Sequence, residues 1–268
     1  MSAGPIGRLS TLFAKARRPV VFTGAGVSTE SGIPDFRSPG GVWDRYDPAE
    51  LTYGNFMGSV AGRRRYWQVG RSVYPVIRAA APSAAHLAIA ELHRLGRLDC
   101  CITQNIDDLH GRAGLPADAL IELHGNATRA RCLDCAAAYT RDEVHAWLER
   151  GVEVPECPRC GGIVKPHTVL FGEAMPRAAT EEAERRARAS DLFVVVGSSL
   201  GVYPAAYMPL HARDAGATLA IVNLEATPHD HRADLVVRGR AGAVMAEVVA
   251  RLRARPAGKG LTTWATTS

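Results

Sequence analysis

The sequence predicts an α/β protein built on a Rossmann-like, doubly wound parallel sheet, with a smaller domain made of a cysteine-containing module and helices. Short apolar strand segments alternate with helical segments along most of the chain, as parallel sheets require. A glycine turn, Gly24-Ala25-Gly26, follows the first strand segment. Two C-x-x-C pairs interrupt the alternation, so the segment that contains them is expected to be an inserted module.

The strand and helix segments are predicted from apolar periodicity and from the residues that end each one. Residues 20–22 form a strand, 27–31 begin a helix, and prolines and glycines make 33–54 mostly loop. Helical segments follow at 55–80 and, capped by Ser83, at 84–95. Further strands are predicted at 100–103, 120–123, 164–171, 191–197 and 218–223, and further helices at 177–190, 204–215 and 242–253.

The predicted domain plan follows from this order of elements. Residues 1–125 and 166–256 make up the Rossmann-like domain, which carries a helical insertion at about 34–80. Residues 126–165 form the cysteine-containing module, because they hold both cysteine pairs and little continuous apolar sequence. Residues 257–268 are expected to be a loose C-terminal tail.

Composition and charge exclude several classes of protein. The chain has 268 residues, of which 47% are hydrophobic and 22% are charged, as is typical of a globular protein. It has no apolar run long enough for a membrane span and no apolar signal segment at the N-terminus, so a cytoplasmic protein without a membrane partner is expected. The net charge of +5 arises from scattered arginines, which favours solvated helix faces over nucleic-acid binding.

The strongest single motif is a pair of cysteine knuckles. Cys132 and Cys135 form the first C-x-x-C pair, and Cys157 and Cys160 form the second after a spacer of 21 residues. Two such knuckles supply four thiolates to one tetrahedral zinc ion and leave no ligand position for water. We therefore predict a structural zinc ion, which stabilises a segment that has few apolar residues. The alternative is two redox pairs, but nothing else in the chain is typical of a thioredoxin fold.

The glycine turn occupies the position of a phosphate-binding turn, between a strand and the predicted start of a helix. Its glycines would let the backbone approach a pyrophosphate, and amide groups at the helix start would face the anion. The full G-x-G-x-x-G spacing is missing, because Thr29 occupies the third glycine position. The motif alone supports a tight turn without a ligand as well as it supports a dinucleotide site.

Polar residues follow two other predicted strands. Gln104, Asn105 and Asp107 come directly after the strand that contains the adjacent cysteines, at the edge where open α/β sheets bind ligands. Their amide and carboxylate groups suit a ribose or a carboxamide, although Asp107 could also serve only as a turn cap. His124 ends another short strand near the same edge, and a neutral imidazole can accept a hydroxyl proton near neutral pH. The other histidines carry no comparable signal.

Longer stretches around these residues resemble one family, the sirtuins. The matching stretches are GAGVSTESGIPDFRS (24–38), TQNIDDLH (103–110) and ELHG (122–125), and the resemblance extends over about residues 18–253. In detail, residues 63–67, 131–135 and 171–173 look most similar to the class II branch shared by bacteria and mitochondria. The resemblance implies an NAD-dependent protein-lysine deacylase with NAD and zinc as its cofactors, and a Rossmann-like sheet with a smaller zinc-binding and helical domain.

The resemblance also assigns roles to individual residues. His124 is implied to be the general base, with Asn105 and Asp107 beside it in the catalytic pocket. The residues implied to bind NAD are Gly24, Ala25, Gly26, Ser28, Asp35, Phe36, Arg37, Gln104, Asn105, Ile106, Asp107, Gly197, Ser198, Ser199, Asn223, Leu224, Glu225 and Ala241. The residues implied to flank an extended substrate peptide are Val169, Phe171, Gly172, Glu173, Gly201 and Val202.

The reaction implied by the resemblance joins an acylated lysine of a protein to NAD. The acyl oxygen attacks C1′ of the nicotinamide ribose and nicotinamide leaves; His124 then deprotonates a ribose hydroxyl, and free lysine and O-acyl-ADP-ribose result. Sirtuins that remove acidic acyl groups carry a Tyr-x-x-Arg pair, whereas Tyr66 is followed here by Val69. We therefore expect neutral acyl groups, acetyl or longer, unless a nearby arginine such as Arg71 substitutes.

Two other functions remain open from the sequence. A mono-ADP-ribosyltransferase would use the same NAD pocket, because both reactions begin with the loss of nicotinamide. A zinc-dependent nucleic-acid-binding or interaction module would have the same cysteine spacing, but it would leave the stretch GAGVSTESGIPDFRS unexplained.

Overall fold

The computed structural model describes residues 4–35, 41 and 44–254 of the chain. Its strands are β1 (Pro19–Thr23), β2 (Cys100–Thr103), β3 (Leu120–Glu122), β4 (Gly125–Cys132), β5 (Ala138–Thr140), β6 (Val164–Thr168), β7 (Leu192–Val196), β8 (Thr218–Asn223) and β9 (Leu235–Arg238). Six of them form one sheet in the order β3-β2-β1-β7-β8-β9, and every neighbouring pair is parallel. This order confirms the predicted Rossmann-like, doubly wound sheet.

Helices cover both faces of the large sheet. The helices are α1 (Pro5–Lys15), α2 (Tyr53–Gly58), α3 (Val60–Ala79), α4 (Ala84–Arg94), α5 (Leu109–Arg112), α6 (Arg141–Glu149), α7 (Arg177–Ala189), α8 (Met208–Asp214) and α9 (Ala241–Arg253). Side chains alternate along β1, so that Val21 packs in the core formed with α1, α4 and α9, while Phe22 packs in the core formed with α7 and α8. Continuous burial of β1 and β7 follows from this double cover.

A second, three-stranded sheet has the order β5-β4-β6, and both of its strand pairs are antiparallel. Its core contains Phe56, Trp67, Val144 and Leu148, which come from α2, α3 and α6. The helices predicted at 55–80 and the cysteine-containing segment therefore share one small core.

The predicted helix at 27–31 is wrong. Residues 25–27 and 29–31 form two single 3₁₀ turns, and Gly32 ends the second one with a φ of 80°. Valine, serine and threonine have low helix propensity, and a left-handed glycine stops any further turn.

The strand predicted at 164–171 is shorter than expected and lies in the other sheet. β6 ends at Thr168 and pairs with β4, with Cys132 opposite Val164 and Gly125 opposite Thr168. The chain therefore returns to the large sheet only with α7 and β7, and not at residue 166 as the domain plan expects.

Several elements carry no prediction from the sequence: α1, α5, α6, β4, β5 and β9. α1 has buried Leu9 and Phe13 on one face, a helical spacing that the basic residues around it obscure. β4 alternates buried and exposed residues only over its second half, so its polar sequence gives a weak strand signal.

Among the described helices, none combines the length and apolar character needed to cross a bilayer.

Candidate active site

The carboxyl ends of the parallel strands form one edge of the large sheet, and the strand order reverses there between β1 and β7. Open α/β sheets bind ligands at such a switch point. Most of the predicted cofactor residues lie at or just after strand ends on this edge: Gly24, Ala25 and Gly26 after β1, Gln104, Asn105, Ile106 and Asp107 after β2, Gly197, Ser198 and Ser199 after β7, and Asn223, Leu224 and Glu225 at the end of β8.

The turns after β1 and β7 touch each other through glycine. The Gly26 amide donates to the Gly197 carbonyl at 2.8 Å, and a Cβ on Gly26 would lie only 2.8 Å from that same oxygen. A Cβ on Gly24 would lie 2.8 Å from the Cβ of Ser198. These two glycines are therefore required by the close packing of the turn after β1 against the turn after β7.

A hydrogen-bonded polar cluster joins the ends of β1 and β2. Ser28 Oγ donates to Asp107 Oδ2 at 2.6 Å, and Asn105 Nδ2 donates to Ser28 Oγ and to the Gly24 carbonyl, both at 3.0 Å. Gln104 Nε2 donates to Ser198 Oγ at 2.8 Å, which links β2 to β7 across β1. The sequence-predicted groups thus form one connected network.

Two histidines lie beneath this network. His86 Nε2 is 3.5 Å from Ser28 Oγ, and its ring packs edge-on against His110 with centroids 4.6 Å apart. His110 Nε2 lies 2.9 Å from Thr23 Oγ1. Burial lowers the pKa of His86 to about 4 and lowers the pKa of His110 well below its ordinary value. Both rings are therefore neutral near pH 7, and they support the polar cluster from below.

His124 follows β3 and faces the same edge. Its Nδ1 lies 2.9 Å from the Gln104 carbonyl oxygen. A carbonyl only accepts hydrogen bonds, so Nδ1 carries the proton and Nε2 is the unprotonated nitrogen. Burial lowers the pKa of His124, although its bond to Gln104 opposes this shift. The result is a neutral imidazole whose Nε2 has no hydrogen-bond partner among the described residues.

The residues at the far end of the edge are held by local contacts. Asn223 Nδ2 donates to the Glu225 carbonyl at 3.0 Å, and Leu224 is 63% exposed between them. Ala241 begins α9, where the Gly242 amide donates to Glu30 Oε1 at 3.0 Å. The predicted residues at the end of β8 therefore lie in a hydrogen-bonded turn with Leu224 exposed, whereas Ala241 is buried at the start of α9.

The segment after β6 approaches His124 from the small sheet. The Val169 amide donates to the His124 carbonyl at 2.9 Å, and the Phe171 carbonyl accepts from the Tyr53 amide at 2.9 Å. Phe171 is 44% exposed, whereas Glu173 turns inward and forms an ion pair with Lys165 at 2.9 Å. The side chain of Glu173, which was predicted to flank the substrate peptide, is thus bound by a lysine of the protein.

Tyr66 lies beside this segment, with its hydroxyl 3.5 Å from Thr168 Oγ1. Val69 is buried, and Arg71 forms an exposed ion pair with Glu149 at 2.9 Å. Arg71 is therefore paired with an acidic residue of α6. A different arginine, Arg141, is buried and stacks over the rings of Trp67 and Tyr74 at 4.9 and 4.6 Å.

The four cysteines meet at one point between β4 and the 157–160 turn. Their sulfur atoms all lie within 4.8 Å of one another, with Cys132 and Cys160 at 3.5 Å and Cys135 and Cys157 at 3.6 Å. Tetrahedral zinc with bonds of ~2.3 Å requires sulfur separations of about 3.8 Å, so the donor set fits. A hydrogen bond with Tyr139 lowers the pKa of the Cys157 thiol to about 6.

Comparison with known proteins decides the family. The model of the Sir2 family matches residues 24–204, which is more than half of the chain. The chain belongs to the Sir2 family. The sirtuin resemblance of the sequence is thereby confirmed, and the class II branch stays a prediction.

Similar sirtuins include proteins of known name and solved structure. An NAD-dependent protein deacetylase 1 of Bradyrhizobium diazoefficiens is 42% identical over 91% of this chain and 95% of its own length. An NAD-dependent protein deacylase 2 of Archaeoglobus fulgidus is 43% identical over 92% of this chain and 96% of its own length. A solved Sir2 complex with a p53 peptide and NAD+ is 36% identical, covers 92% of this chain and 98% of that one, and superposes with a TM-score of 0.84.

The sirtuin fold places residues near the site that the sequence did not indicate. His86, Glu30 and Lys165 all contact predicted site residues or the backbone next to them. The spacing of Ser83 and His86 at the start of α4 was the available signal for His86, because these two residues form a capping box. Phe36 and Arg37, predicted to bind NAD, lie outside the described residues, and Asp35 is the last described residue before them.

Proposed function

We propose that this sirtuin removes acyl groups from protein lysines in an NAD-dependent reaction that gives nicotinamide and O-acyl-ADP-ribose. The observation that carries the proposal is the neutral His124, whose Nε2 is free to accept a proton at the switch-point edge of the sheet. Relatives named as NAD-dependent deacetylases and deacylases, matched over nearly their whole length, support it.

NAD supplies a ribose whose bond to nicotinamide can be broken by the acyl oxygen of the substrate. The residues of this chain bind and orient it. The glycine turn of Gly24 and Gly26 at a strand end suits the pyrophosphate, and Ser198 and Ser199 suit a phosphate or ribose. Asn105, Asp107 and Ser28 suit the nicotinamide end, because their fixed polar atoms cluster next to His124's strand.

Other predicted NAD contacts form the outer parts of the proposed site. Asn223, Leu224, Glu225 and Ala241 lie where the adenosine half would extend along the sheet edge. Asp35 is proposed, from the sirtuin resemblance, to help order the cofactor, and the same role is proposed for Phe36 and Arg37, which lie outside the described residues. A solved sirtuin of similar fold binds NAD+ and a peptide, which supports this arrangement.

The acylated peptide is proposed to lie between two segments, with Val169, Phe171 and Gly172 on one side and Gly201 and Val202 on the other. The exposed Phe171 ring can line the path of an acyl-lysine, whose charge has been removed by acylation. A related sirtuin has been solved with an acetylated peptide bound, which supports a peptide site of this kind.

Neutral acyl groups, acetyl or longer, are the proposed substrates. Val69 supplies no charge beside Tyr66, and Arg71 pairs with Glu149. Comparing kcat/KM on acetyl and succinyl peptides tests this preference. A clear succinyl preference would contradict it and would direct attention to the buried Arg141.

The zinc ion is proposed to be structural, and the protein to act in the cytoplasm. Four thiolate donors fill the tetrahedral coordination of zinc, so no open position remains for catalysis. Paired cysteines of this kind stay reduced in a cytosolic environment. The partners are acylated protein lysines, and the scattered surface arginines give no reason to expect nucleic acid.

Mass spectrometry of the products tests the proposal. The protein is incubated with NAD and an acetyl-lysine peptide, and the masses of the separated products are measured. Deacylation predicts free lysine, nicotinamide and an ADP-ribose that carries the acetyl group. ADP-ribose attached to the protein or peptide would instead identify a transferase, and steeply salt-dependent DNA binding without NAD consumption would identify a nucleic-acid-binding module.

A further inference from the structure

Lys165 is a buried lysine on β6 whose ammonium group is fully hydrogen-bonded. It is 3% exposed, and its Nζ lies 2.9 Å from Glu173 Oε2. The same Nζ donates to the Thr168 carbonyl at 2.5 Å and to the Pro166 carbonyl at 3.3 Å. An ammonium group has three N–H donors, so each of them has one partner.

Glu173 completes this arrangement from the other end of the loop. Its Oε2 also accepts a hydrogen bond from the Leu170 amide at 2.9 Å, and the Glu173 amide donates to the Leu170 carbonyl at 3.0 Å. One carboxylate oxygen therefore joins Lys165 to the backbone that follows Val169. The carboxylate faces into the protein, where the ammonium compensates its charge.

The peptide unit between Thr168 and Val169 is held at both ends. A trans peptide is planar, so its C=O and N–H point in opposite directions. Lys165 binds the Thr168 C=O, and the Val169 N–H donates to the His124 carbonyl at 2.9 Å. The buried ammonium thus fixes the unit that contacts the backbone of the proposed catalytic base.

The next peptide unit presents an unused acceptor. Its N–H belongs to Leu170 and is bound by Glu173, so its C=O, on Val169, points away from that carboxylate. The Val169 carbonyl accepts no hydrogen bond from any described residue. An extended peptide that pairs along this segment would need an acceptor in this orientation.

We propose that Lys165 and Glu173 are positioning residues for the acyl-lysine peptide. They fix the two peptide units around Val169. The Val169 N–H then stays bonded to the His124 carbonyl, and the Val169 C=O faces the substrate backbone. Buried ion pairs can often be replaced by apolar side chains without loss of stability, so stability alone does not account for this pair. The inference rests on the proposed deacylase function.

Three variants separate positioning from stability. Lys165→Met and Glu173→Leu each leave a buried charge without its partner, and both are expected to lower the Tm. The double variant removes both charges, and its Tm is expected to return towards the wild-type value. The Thr168 C=O and Leu170 N–H still lack their partners in the double variant, so its KM for an acetyl peptide should stay about tenfold raised. Its KM for NAD should change less than about twofold, because neither side chain contacts a residue proposed to bind NAD.

A matched control uses a pair on the protein surface. Arg177 and Glu181 form an exposed i,i+4 ion pair on α7, with side chains that are 90% and 63% exposed. The double variant Arg177→Met/Glu181→Leu should keep the wild-type Tm and both KM values. Recovery of both Tm and peptide KM in the Lys165→Met/Glu173→Leu protein would overturn the proposal, because the pair would then be only structural.

Amide hydrogen exchange provides a readout that does not depend on activity. In the Lys165→Met/Glu173→Leu protein, the Val169 and Leu170 amides should exchange at least about tenfold faster than in the wild type, while the amides of β7 should be unchanged. Unchanged exchange at Val169 and Leu170 would overturn the positioning role. Failure of the proposed function would show differently, as a wild-type protein that releases no nicotinamide with an acetyl peptide.

Discussion

The Nδ1 atom of His124 lies 2.9 Å from the carbonyl oxygen of Gln104, and this contact fixes which imidazole nitrogen carries the proton. Because Gln104 also binds Ser198 through its side chain, the same residue links the base to the turn after β7. One residue after β2 therefore contacts both the proposed base and the turn after β7.

On the acid side, kcat/KM should fall only at a pH below the ordinary pKa of histidine. A general base must be neutral, and burial lowers the pKa of His124 below the ordinary histidine value of 6.5. The neutral form therefore persists as the pH falls through 6.5 and is lost only at a lower pH. The pH profile of kcat/KM measures this directly. An acid limb centred above 6.5 would contradict the burial of the base in the free enzyme.

Substitution of Gly26 should damage NAD binding and stability together. In Gly26→Ala the new Cβ would lie 2.8 Å from the Gly197 carbonyl oxygen, and a backbone atom cannot easily move away. We expect a loss of about 1–3 kcal/mol in unfolding free energy and a raised KM for NAD. Gly54→Ala is the control, because nothing lies within 4 Å of its Cβ and Gly54 is exposed in a helix. An equal effect of the two substitutions would argue against the close turn.

Loss of one cysteine ligand should release zinc. Cys157→Ser is expected to lower the zinc content to well below one ion per chain and to lower the Tm, because the small sheet depends on the metal for part of its stability. Elemental analysis and thermal unfolding measure both. Cys100→Ala, in the large sheet, should keep its zinc and serves as the control. A Cys157→Ser protein with full zinc and an unchanged Tm would show that the four thiols do not form a structural site.

Stability should fall on mild acidification because of the histidines beneath the site. Burial lowers the pKa of His86 to about 4 and lowers the pKa of His110 well below its ordinary value, whereas both are near 6.5 in the unfolded chain. Between these values the unfolded state binds more protons, so stability decreases as the pH falls, by about 1.4 kcal/mol per pH unit for each histidine. Asp107 and Glu30 oppose the shift of His86.

Urea unfolding at several pH values checks this slope. His110→Gln should make the decrease between pH 6.5 and 4 shallower, whereas replacement of the exposed His231 by Gln should leave it unchanged. Identical slopes in wild type and His110→Gln would show that His110 is not buried in its neutral form.

The large sheet could be predicted from the sequence because its strands are apolar and buried on both faces. Runs such as 192–196 carry that signal without any knowledge of the fold. The small sheet could not be predicted, because β4 and β6 are stabilised by pairing with each other and by the cysteines rather than by apolar periodicity. Pairing partners distant in sequence leave no local pattern, and for this reason β6 was expected in the wrong sheet.

The sequence predicted which residues lie at the site, but it did not predict their contacts. Gln104, Asn105 and His124 were expected at one sheet edge, and the structure brings them there. The inward orientation of Glu173 was not predictable, since its partner Lys165 looks like an ordinary strand lysine in the sequence. The tautomer of His124 likewise depends on a backbone carbonyl that no sequence motif specifies.

The most direct test of the account compares nicotinamide release with lysine release in the wild-type protein and in His124→Ala. The wild type should free one nicotinamide for each lysine deacylated and none without an acylated peptide. His124→Ala should keep its fold and zinc, and its turnover should fall by about a hundredfold or more. Near-normal turnover in His124→Ala, or deacylation without nicotinamide release, would contradict the central claim.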